Sequence, residues 1–201
     1  MGAAIITGHL GLVGSYVAEA LSKQGLKVYG IDNDIRSKLF KDISPLDKKE
    51  ITNLINEIGI CEHYSIDIRD EENLRETIGV ILEKDEVEVV IHCAAQPSHD
   101  WAASEPLTDL DINLRSTVNL LESLRSKNFK GVFVFLSTNK VYGDSPNYLP
   151  LKILGDRLDL DEKHTYYKGI DTSLSIDNCL HSLFGCSKAG ADLYVQEYSR
   201  Y

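Results

Sequence analysis

The sequence predicts an α/β fold, a doubly wound parallel sheet with helices packed on both of its faces. Short apolar segments alternate along the chain with segments of helical periodicity, which is the pattern of a parallel sheet buried on both faces. A glycine-rich turn joins the first apolar segment to the first helical one. The chain has 201 residues and no internal repeat, so one domain accounts for its length.

Local patterns predict each element. Strands are predicted at residues 3–7, 26–31, 61–66, 87–93 and 131–137, of which the first, the fourth and the fifth are mostly apolar. Helices are predicted where apolar residues recur at helical spacing, at residues 12–24, 48–58, 71–83, 104–127 and 183–201. Gly25 ends the first helix, because glycine readily adopts the left-handed conformation of a C-cap. A loop is expected between residue 34 and the helix at 48.

Residues 143–180 differ from the rest of the chain. They are polar, rich in Asp and Tyr, and hold two of the five prolines. A segment this long without regular structure is usually functional when it belongs to a compact domain. We interpret it as an active-site loop over the substrate, and a plain surface excursion is the alternative.

Composition excludes several classes of partner. The net charge is −10, from 21 basic and 31 acidic residues, so neither nucleic acid nor an anionic membrane is expected as a partner. The four cysteines form no CxxC pair, and we expect reduced thiols and no metal. The apolar run at 3–6 is too short for a signal peptide, and no run approaches the ~20 residues of a membrane span. These features predict a cytoplasmic protein.

Residues 7–14 read T-G-H-L-G-L-V-G, between the first predicted strand and helix. Glycines at this spacing permit a tight turn, let backbone amides approach a pyrophosphate and let the helix pack closely on the strand. The phosphates of a dinucleotide are favoured at the helix N-terminus by free amides and the helix dipole. The predicted pyrophosphate loop comprises Gly8, His9, Leu10, Gly11, Leu12, Val13 and Gly14.

An acidic residue follows the second predicted strand. Asp32 lies about 20 residues beyond the glycine motif, where a carboxylate accepts hydrogen bonds from the adenosine ribose. A carboxylate there repels a 2′-phosphate, so NAD is favoured over NADP. Asn33 is assigned to the same site, and Arg36 is close enough in sequence to weaken the preference. Glycines that serve only a turn are the alternative, which Asp32 disfavours.

Two later segments fit the same cofactor. Asp67 and Ile68 follow the third predicted strand, at the edge where an adenine ring is expected. After the fourth strand, small residues leave room for a cofactor ribose, although the two alanines also suit plain packing. That second segment is Ala94, Ala95 and Gln96. The sequence therefore predicts a Rossmann domain over residues 1–201 that binds NAD.

Six segments in order carry a family resemblance: TGxxGxxG, IDN, DIRD, IHCAAQ, LSTNKVYG and a helix with Ser-Lys. Together they resemble the extended short-chain dehydrogenases that modify nucleotide sugars. The stretches IHCAAQPSHDWAASEP, STNKVYGD and HSLFGCSK are most similar to the CDP-paratose 2-epimerases, also called tyvelose epimerases, within that family.

The resemblance implies an NAD-dependent epimerase with a nucleotide-sugar substrate. Such an enzyme oxidises a hydroxyl to a ketone and returns the hydride to the other face, here at carbon 2 of a CDP-hexose. The resemblance assigns the nicotinamide ribose to Lys188 and the reacting oxygen to Thr138 or Ser137. A 4-epimerase or a reductase of the same family stays open.

The resemblance also suggests residues around the substrate, namely Gln96, Ser98, His99, Asn139 and Lys140. Asn139 and Lys140 stand where the family's dehydratases have Asp-Glu, which disfavours dehydration. A solvated loop charge is the alternative for Lys140.

The family's catalytic tyrosine is replaced by Phe184, which cannot exchange a proton. One hypothesis is that His181 acts as the base instead. Residues three, four and seven apart lie on one face of a helix, and these are the spacings between His181, Phe184 and Lys188. A hydrogen-bonded structural role is the alternative for His181. Further candidate bases in the predicted active-site loop are His164, Tyr166 and Tyr167. Slow catalysis without a strong base, a substitution or error in this copy, and a non-catalytic NAD-binding module are the other hypotheses.

Members of the family continue beyond the equivalent of Tyr201 with a C-terminal sugar-binding domain, which is absent from this chain. We therefore expect a piece of a longer protein that binds NAD weakly and does not turn over sugar alone. The family often dimerises through long helices, so a homodimer is left open.

Overall fold

The computed structural model describes residues 2–39 and 44–201. The strands of its main sheet are β1 (Ala3–Thr7), β2 (Lys27–Ile31), β3 (Ile60–Tyr64), β4 (Val87–His92) and β5 (Val132–Phe135). All pairings between them are parallel, in the order β3-β2-β1-β4-β5. The helices are α1 (Leu12–Lys23), α2 (Arg36–Leu39), α3 (Lys48–Ile58), α4 (Glu71–Lys84), α5 (His99–Ser104), α6 (Pro106–Leu110), α7 (Ser116–Ser126) and α8 (Leu183–Tyr198). The predicted doubly wound α/β fold is confirmed.

Alternate residues of β1 supply the two faces of the sheet. Ile5 packs with Leu74 of α4 and Leu120 of α7, whereas Ile6 packs with Ala18 of α1 and Ile58 of α3. All of β1 is buried, and each buried aliphatic side chain contributes about 1.5–3 kcal/mol. The chain order reverses beside β1, so the carboxyl ends of β1, β2 and β4 form a crevice at one sheet edge, where ligands of this fold class bind.

The helix predicted over residues 104–127 is interrupted, so that part of the prediction was wrong. α5 ends at Ser104. Pro106 starts α6, because proline lacks an amide donor and suits the first helical position. One π-helical turn, Asp111–Arg115, then precedes α7, and the Ser116 amide bonds to the Asp111 carbonyl across it. Apolar spacing alone does not reveal a single extra residue in a helical turn.

The predicted active-site loop contains short regular elements. A 3-10 turn, Ser145–Tyr148, is followed by an antiparallel hairpin of β6 (Lys152–Leu154) and β7 (Arg157–Asp159). Gly155 lies in the hairpin turn with φ of +62°, a conformation that glycine adopts without strain.

Outside the sheet, the structure differs from the sequence prediction at the end of α8 and in the loop after residue 34. α8 ends at Tyr198, three residues before the predicted end. The loop expected after residue 34 includes residues 40–43, which lie outside the described residues, and α2 occupies its start. In the part of the chain that the structure describes, no helix combines the length and apolar character needed to cross a bilayer.

Candidate cofactor and active site

The turn between β1 and α1 is packed tightly against itself and against the residues that follow β4. Gly8 has φ of +74°, and a Cβ atom on it would lie 2.6 Å from the Ala94 nitrogen. A Cβ atom on Gly14 would collide with the Gly8 carbonyl. Gly11 is the N-cap of α1 and offers no side-chain cap, so the first amides of the helix have no side-chain acceptor there. This cradle fits a pyrophosphate.

Asp32 follows β2 and is fixed by backbone amides. Its Oδ2 accepts a hydrogen bond from the Leu10 amide at 2.9 Å, and its Oδ1 accepts one from the Asp34 amide at 2.8 Å. Burial raises the pKa of Asp32, while these two amides act in the opposite direction. The Arg36 Nε donates to the Asp34 carboxylate at 3.1 Å, so Arg36 is engaged by a neighbouring acid.

A cleft at the carboxyl ends of β1, β2 and β4 brings together ten of the residues predicted for the cofactor. These are Gly8, Leu10, Gly11, Asp32, Asn33, Arg36, Asp67, Ile68, Ala94 and Ala95. The sequence did not indicate the six other lining residues, which are Ile31, Asp34, Ile35, Ile66, Cys93 and Ile112. Five of them adjoin predicted residues in sequence, but Ile112 comes from the π-helical turn and has no local signal.

Six of the predicted cofactor residues do not line this cleft: His9, Leu12, Val13, Gly14, Gln96 and Lys188. Leu12 and Val13 are exposed at the start of α1, beside the cradle. The His9 side chain is fully buried, and its Nε2 lies 3.1 Å from His63 Nδ1. Burial and the neighbouring His63 lower the pKa of His9 to about 4. His9 therefore supports the glycine loop from the protein side.

The ring of His9 occupies the space above Gly30. A Cβ atom on Gly30 would lie 2.6 Å from His9 Nδ1. Position 30 is the penultimate residue of β2, so a side chain there would displace the histidine and the loop that carries it.

A second cavity shares Cys93 and Ala95 with the cleft. Seven residues predicted for chemistry or substrate line it: His99, Ser137, Thr138, Asn139, Lys140, Phe184 and Lys188. Thr138 accepts a hydrogen bond from the Lys140 amide at 3.3 Å and caps the 3-10 turn Asn139–Tyr142. The cavity thus places a hydroxyl, an amine and the Phe184 ring side by side at one end of the cofactor cleft.

Lys188 is held in this cavity by α8 with only 4% of its surface exposed. Its Nζ lies 4.1 Å from the centroid of the Phe135 ring, a cation–π contact. Burial lowers the pKa of Lys188 to about 8, although Asp192, Asp109 and Cys93 favour its charged form.

A buried polar network fixes α8 against α6. The Asp109 carboxylate accepts hydrogen bonds from Ser187 Oγ at 2.6 Å, from Gln96 Nε2 at 2.8 Å and from Asn113 Nδ2 at 2.8 Å. Gln96 also donates to the Ser98 carbonyl. Gln96 and Ser98 were predicted as substrate residues, but neither lines the second cavity. Their contacts instead position the chain next to Lys188.

The replacement bases named from the sequence lie elsewhere. α8 begins at Leu183, after the N-cap Ser182, so His181 does not share its helical face as predicted. The His181 Nε2 contacts the Ile176 carbonyl at 2.9 Å and Cys179 Sγ at 3.3 Å. The loop candidates His164, Tyr166 and Tyr167 do not line the second cavity either. Within residues 2–39 and 44–201, no three His, Cys, Asp or Glu side chains are grouped to hold a metal.

Comparisons with known proteins agree on one family. A family model described as the NAD dependent epimerase/dehydratase family matches residues 4–200. The CDP-paratose 2-epimerase of Salmonella typhi is 29% identical over 202 residues, covering 98% of this chain and 52% of that protein. The UDP-glucose 4-epimerase of Klebsiella pneumoniae is 31% identical over 144 residues, covering 71% of this chain and 93% of that protein.

Solved structures agree with this fold. The structure of UDP-glucose 4-epimerase from Stenotrophomonas maltophila, with bound NAD and formylated UDP-arabinopyranose, matches with a TM-score of 0.70 at 19% identity. The match covers 100% of this chain and 49% of that one. This chain therefore spans about half the length of the Salmonella typhi protein and of this structure.

Proposed function

This chain belongs to the NAD-dependent epimerase/dehydratase family, and from that premise we propose that it is the cofactor half of a nucleotide-sugar epimerase. The observation that carries the proposal is that the two cavities adjoin. Cys93 and Ala95 line both the cleft with the glycine cradle and Asp32 and the cavity that holds Thr138 and Lys188. A dinucleotide in the cleft can therefore present its reactive end to a substrate in the second cavity.

The residues present fit NAD. The cradle requires glycine at positions 8 and 14, and the Asp32 carboxylate is placed for ribose hydroxyls. Arg36 is hydrogen-bonded to Asp34, so the negative charge of Asp32 determines which ribose is accepted. This favours NAD over NADP. NAD, when bound, supplies the hydride acceptor and donor for reversible oxidation of the sugar.

The chain's own residues bind and orient the substrate. Thr138 offers a hydroxyl to the sugar oxygen that becomes the carbonyl oxygen, and Lys188 offers an amine to the nicotinamide ribose. Asn139, Lys140 and His99 line the outer part of the cavity and contact the sugar or its diphosphate. Neither Asn139 nor Lys140 can act as the carboxylate acid or base of a dehydratase, so epimerisation is favoured.

We infer that the substrate is a CDP-hexose inverted at carbon 2, of the CDP-paratose to CDP-tyvelose type. Support comes from the match to CDP-paratose 2-epimerase along 98% of this chain. A 4-epimerase is the competing activity, supported by the match to UDP-glucose 4-epimerase. The two are distinguished by incubating CDP-paratose and UDP-glucose with the full-length polypeptide and identifying the sugar products by NMR.

A non-catalytic NAD-binding module is the second candidate, and Phe184 favours it. Isothermal titration calorimetry of the chain with NAD and NADP tests cofactor binding in both cases. Formation of a product sugar separates the two candidates. Binding of NAD without turnover in the full-length polypeptide supports the module, and failure to bind NAD contradicts both candidates.

We also propose that the protein works as a homodimer in the cytoplasm. All four cysteines are free, as in a reducing compartment. The outward face of α8 exposes Leu193 and Tyr194, which suits contact with a second copy. Sedimentation of the wild type and of Leu193→Glu tests this, since the variant is expected to shift the mass towards a monomer.

A further inference from the structure

The cavity beside Phe184 contains few groups able to accept a proton. Its described titratable lining residues are Cys93, His99, Lys140 and Lys188. Burial raises the pKa of the Cys93 thiol to about 11, so the thiol stays protonated at neutral pH. His99 and Lys140 are exposed to water, and the His99 ring lies 3.3 Å from the Asp100 carboxylate. Lys188 is the buried amine of the set.

Position 188 is one helical turn after position 184. Residues four apart on a helix are neighbours on one face, so the Lys188 stem runs beside the Phe184 ring towards the same cavity. Among the residues that the structure describes, Lys188 makes no hydrogen bond or ion pair, and its Nζ rests on the Phe135 ring. The lone pair of a neutral amine is therefore free to meet a substrate hydroxyl.

The charged and titratable groups around Lys188 come from three directions. Asp192 lies on its own helix, Asp109 on α6, and His92 and Cys93 at the end of β4. The two carboxylates favour the ammonium, but burial outweighs them and lowers the pKa to about 8. The neutral amine is thus populated near pH 8, close to the pH at which a general base acts in an enzyme.

We propose that Lys188 is itself the base that takes the proton from the sugar hydroxyl, in the position where Phe184 offers no acceptor. This inference rests on the proposed function. The O–H bond breaks and its proton joins the Nζ lone pair, while the hydride on the same carbon passes to NAD and a carbonyl forms. In the return step the carbonyl carbon regains the hydride, and the Lys188 ammonium returns the proton to the oxygen.

The titration of Lys188 is the readout that does not depend on activity. Protein labelled with carbon-13 at lysine Cε is followed by NMR from pH 6 to 11, with and without NAD. The Lys188 signal is identified by its loss in Lys188→Met. We expect it to titrate near pH 8, about two units below ordinary lysines at about 10.4. Titration together with the other lysines overturns the proposal.

Lys188→Arg separates charge from proton transfer. Arginine keeps a cation for the ribose but does not deprotonate. We expect NAD affinity within about 3-fold of wild type, while the rate of keto-sugar formation in the full-length polypeptide falls at least ~100-fold. The wild-type rate is expected to rise with pH around pH 8, and His99→Gln should not move that midpoint. Lys49→Met, an exposed lysine on α3, is the matched control and retains the wild-type rate.

Phe184→Tyr distinguishes failure of this proposal from failure of the proposed function. If wild type forms no reduced nicotinamide at any pH but Phe184→Tyr does, the epimerase site is intact and Lys188 is not the base. If His99→Gln removes the pH-dependent rise, the base is His99 and the proposal is wrong. If both proteins bind NAD and neither oxidises a nucleotide sugar, the proposed function fails and this proposal fails with it.

Discussion

The carboxylate of Asp32 accepts a hydrogen bond from the backbone amide of Leu10 at 2.9 Å, which ties the end of β2 to the glycine loop after β1. Two residues that are distant in sequence are thus joined at the candidate cofactor site. Because Asp32 holds the loop and is the proposed ribose ligand, its loss is expected to affect stability as well as NAD binding.

Asp32→Ala is expected to weaken NAD binding at least ~10-fold and to lower the unfolding free energy by about 1–3 kcal/mol. The physical reason is that the Leu10 and Asp34 amides lose their acceptor. Calorimetry with NAD and urea unfolding measure the two effects. Asp100→Ala, an exposed residue on α5, should change neither, and unchanged NAD affinity in Asp32→Ala would contradict the assigned ribose contact.

Gly30→Ala is expected to destabilise the protein by about 1–3 kcal/mol, because the new methyl group overlaps the His9 ring. The double variant His9→Ala/Gly30→Ala should lose less than the sum of the two single variants, since the space that His9 leaves accepts the methyl group. Urea unfolding measures all three variants. Gly190→Ala is the control, because its methyl group would meet Leu114 at 3.4 Å, an ordinary contact. Strict additivity would show that the two positions do not compete for space.

Stability is expected to fall as the pH drops below 6.5. Burial lowers the pKa of His9 to about 4 and that of His92 to about 3, from 6.5 in an unfolded chain. Between those values the unfolded state binds more protons, so the contribution of the neutral rings is complete above pH 6.5 and is lost as the pH falls.

Each of the two histidines is expected to cost about 2 kcal/mol of stability at pH 5 relative to pH 7.5. Urea unfolding at the two pH values measures the loss. His9→Ala should remove part of the pH dependence, whereas His99→Gln, which changes an exposed ring, should leave it intact. Equal stability at both pH values would mean that both rings protonate without cost in the folded state.

Asp109→Ala is expected to lower the unfolding free energy by about 2–4 kcal/mol. It leaves donors of Gln96, Asn113 and Ser187 without their shared acceptor in a buried site. Asp109→Asn keeps the size and one acceptor oxygen, so its cost should be smaller. Urea unfolding measures both variants. A loss below about 0.5 kcal/mol in Asp109→Ala would show that water satisfies the three donors.

The sequence predicted those parts of the fold that local pattern controls. Mostly apolar segments located three of the five strands, and the glycine motif, Asp32 and the ends of later strands indicated residues that meet in one cleft. Contacts between distant residues were not predictable in this way. Ser187 meets Asp109 across 78 positions of sequence, and nothing in either segment identifies the other.

The inward orientation of His9 was also invisible in the sequence. A position in the glycine loop indicates a backbone role. The direction of the His9 side chain, however, depends on the space that Gly30 leaves in the next strand. His181 shows the converse error. Helical spacing was extended to His181, one residue before the N-cap, because the sequence does not show that the Ser182 side chain accepts from the Gly185 amide and begins the helix there.

The π-helical turn Asp111–Arg115 sets the rotation of α6 relative to α7 about their shared helix axis. The one extra residue in this turn rotates α6 by about 100° from its orientation in an uninterrupted α-helix. Deleting a single residue there would permit a regular α-helix. It would also rotate either Asp109 away from Ser187 or Leu120 away from the core. The irregular turn therefore lets one continuous helix direct Asp109 towards Ser187 of α8 at one end and Leu120 towards the core beneath the sheet at the other.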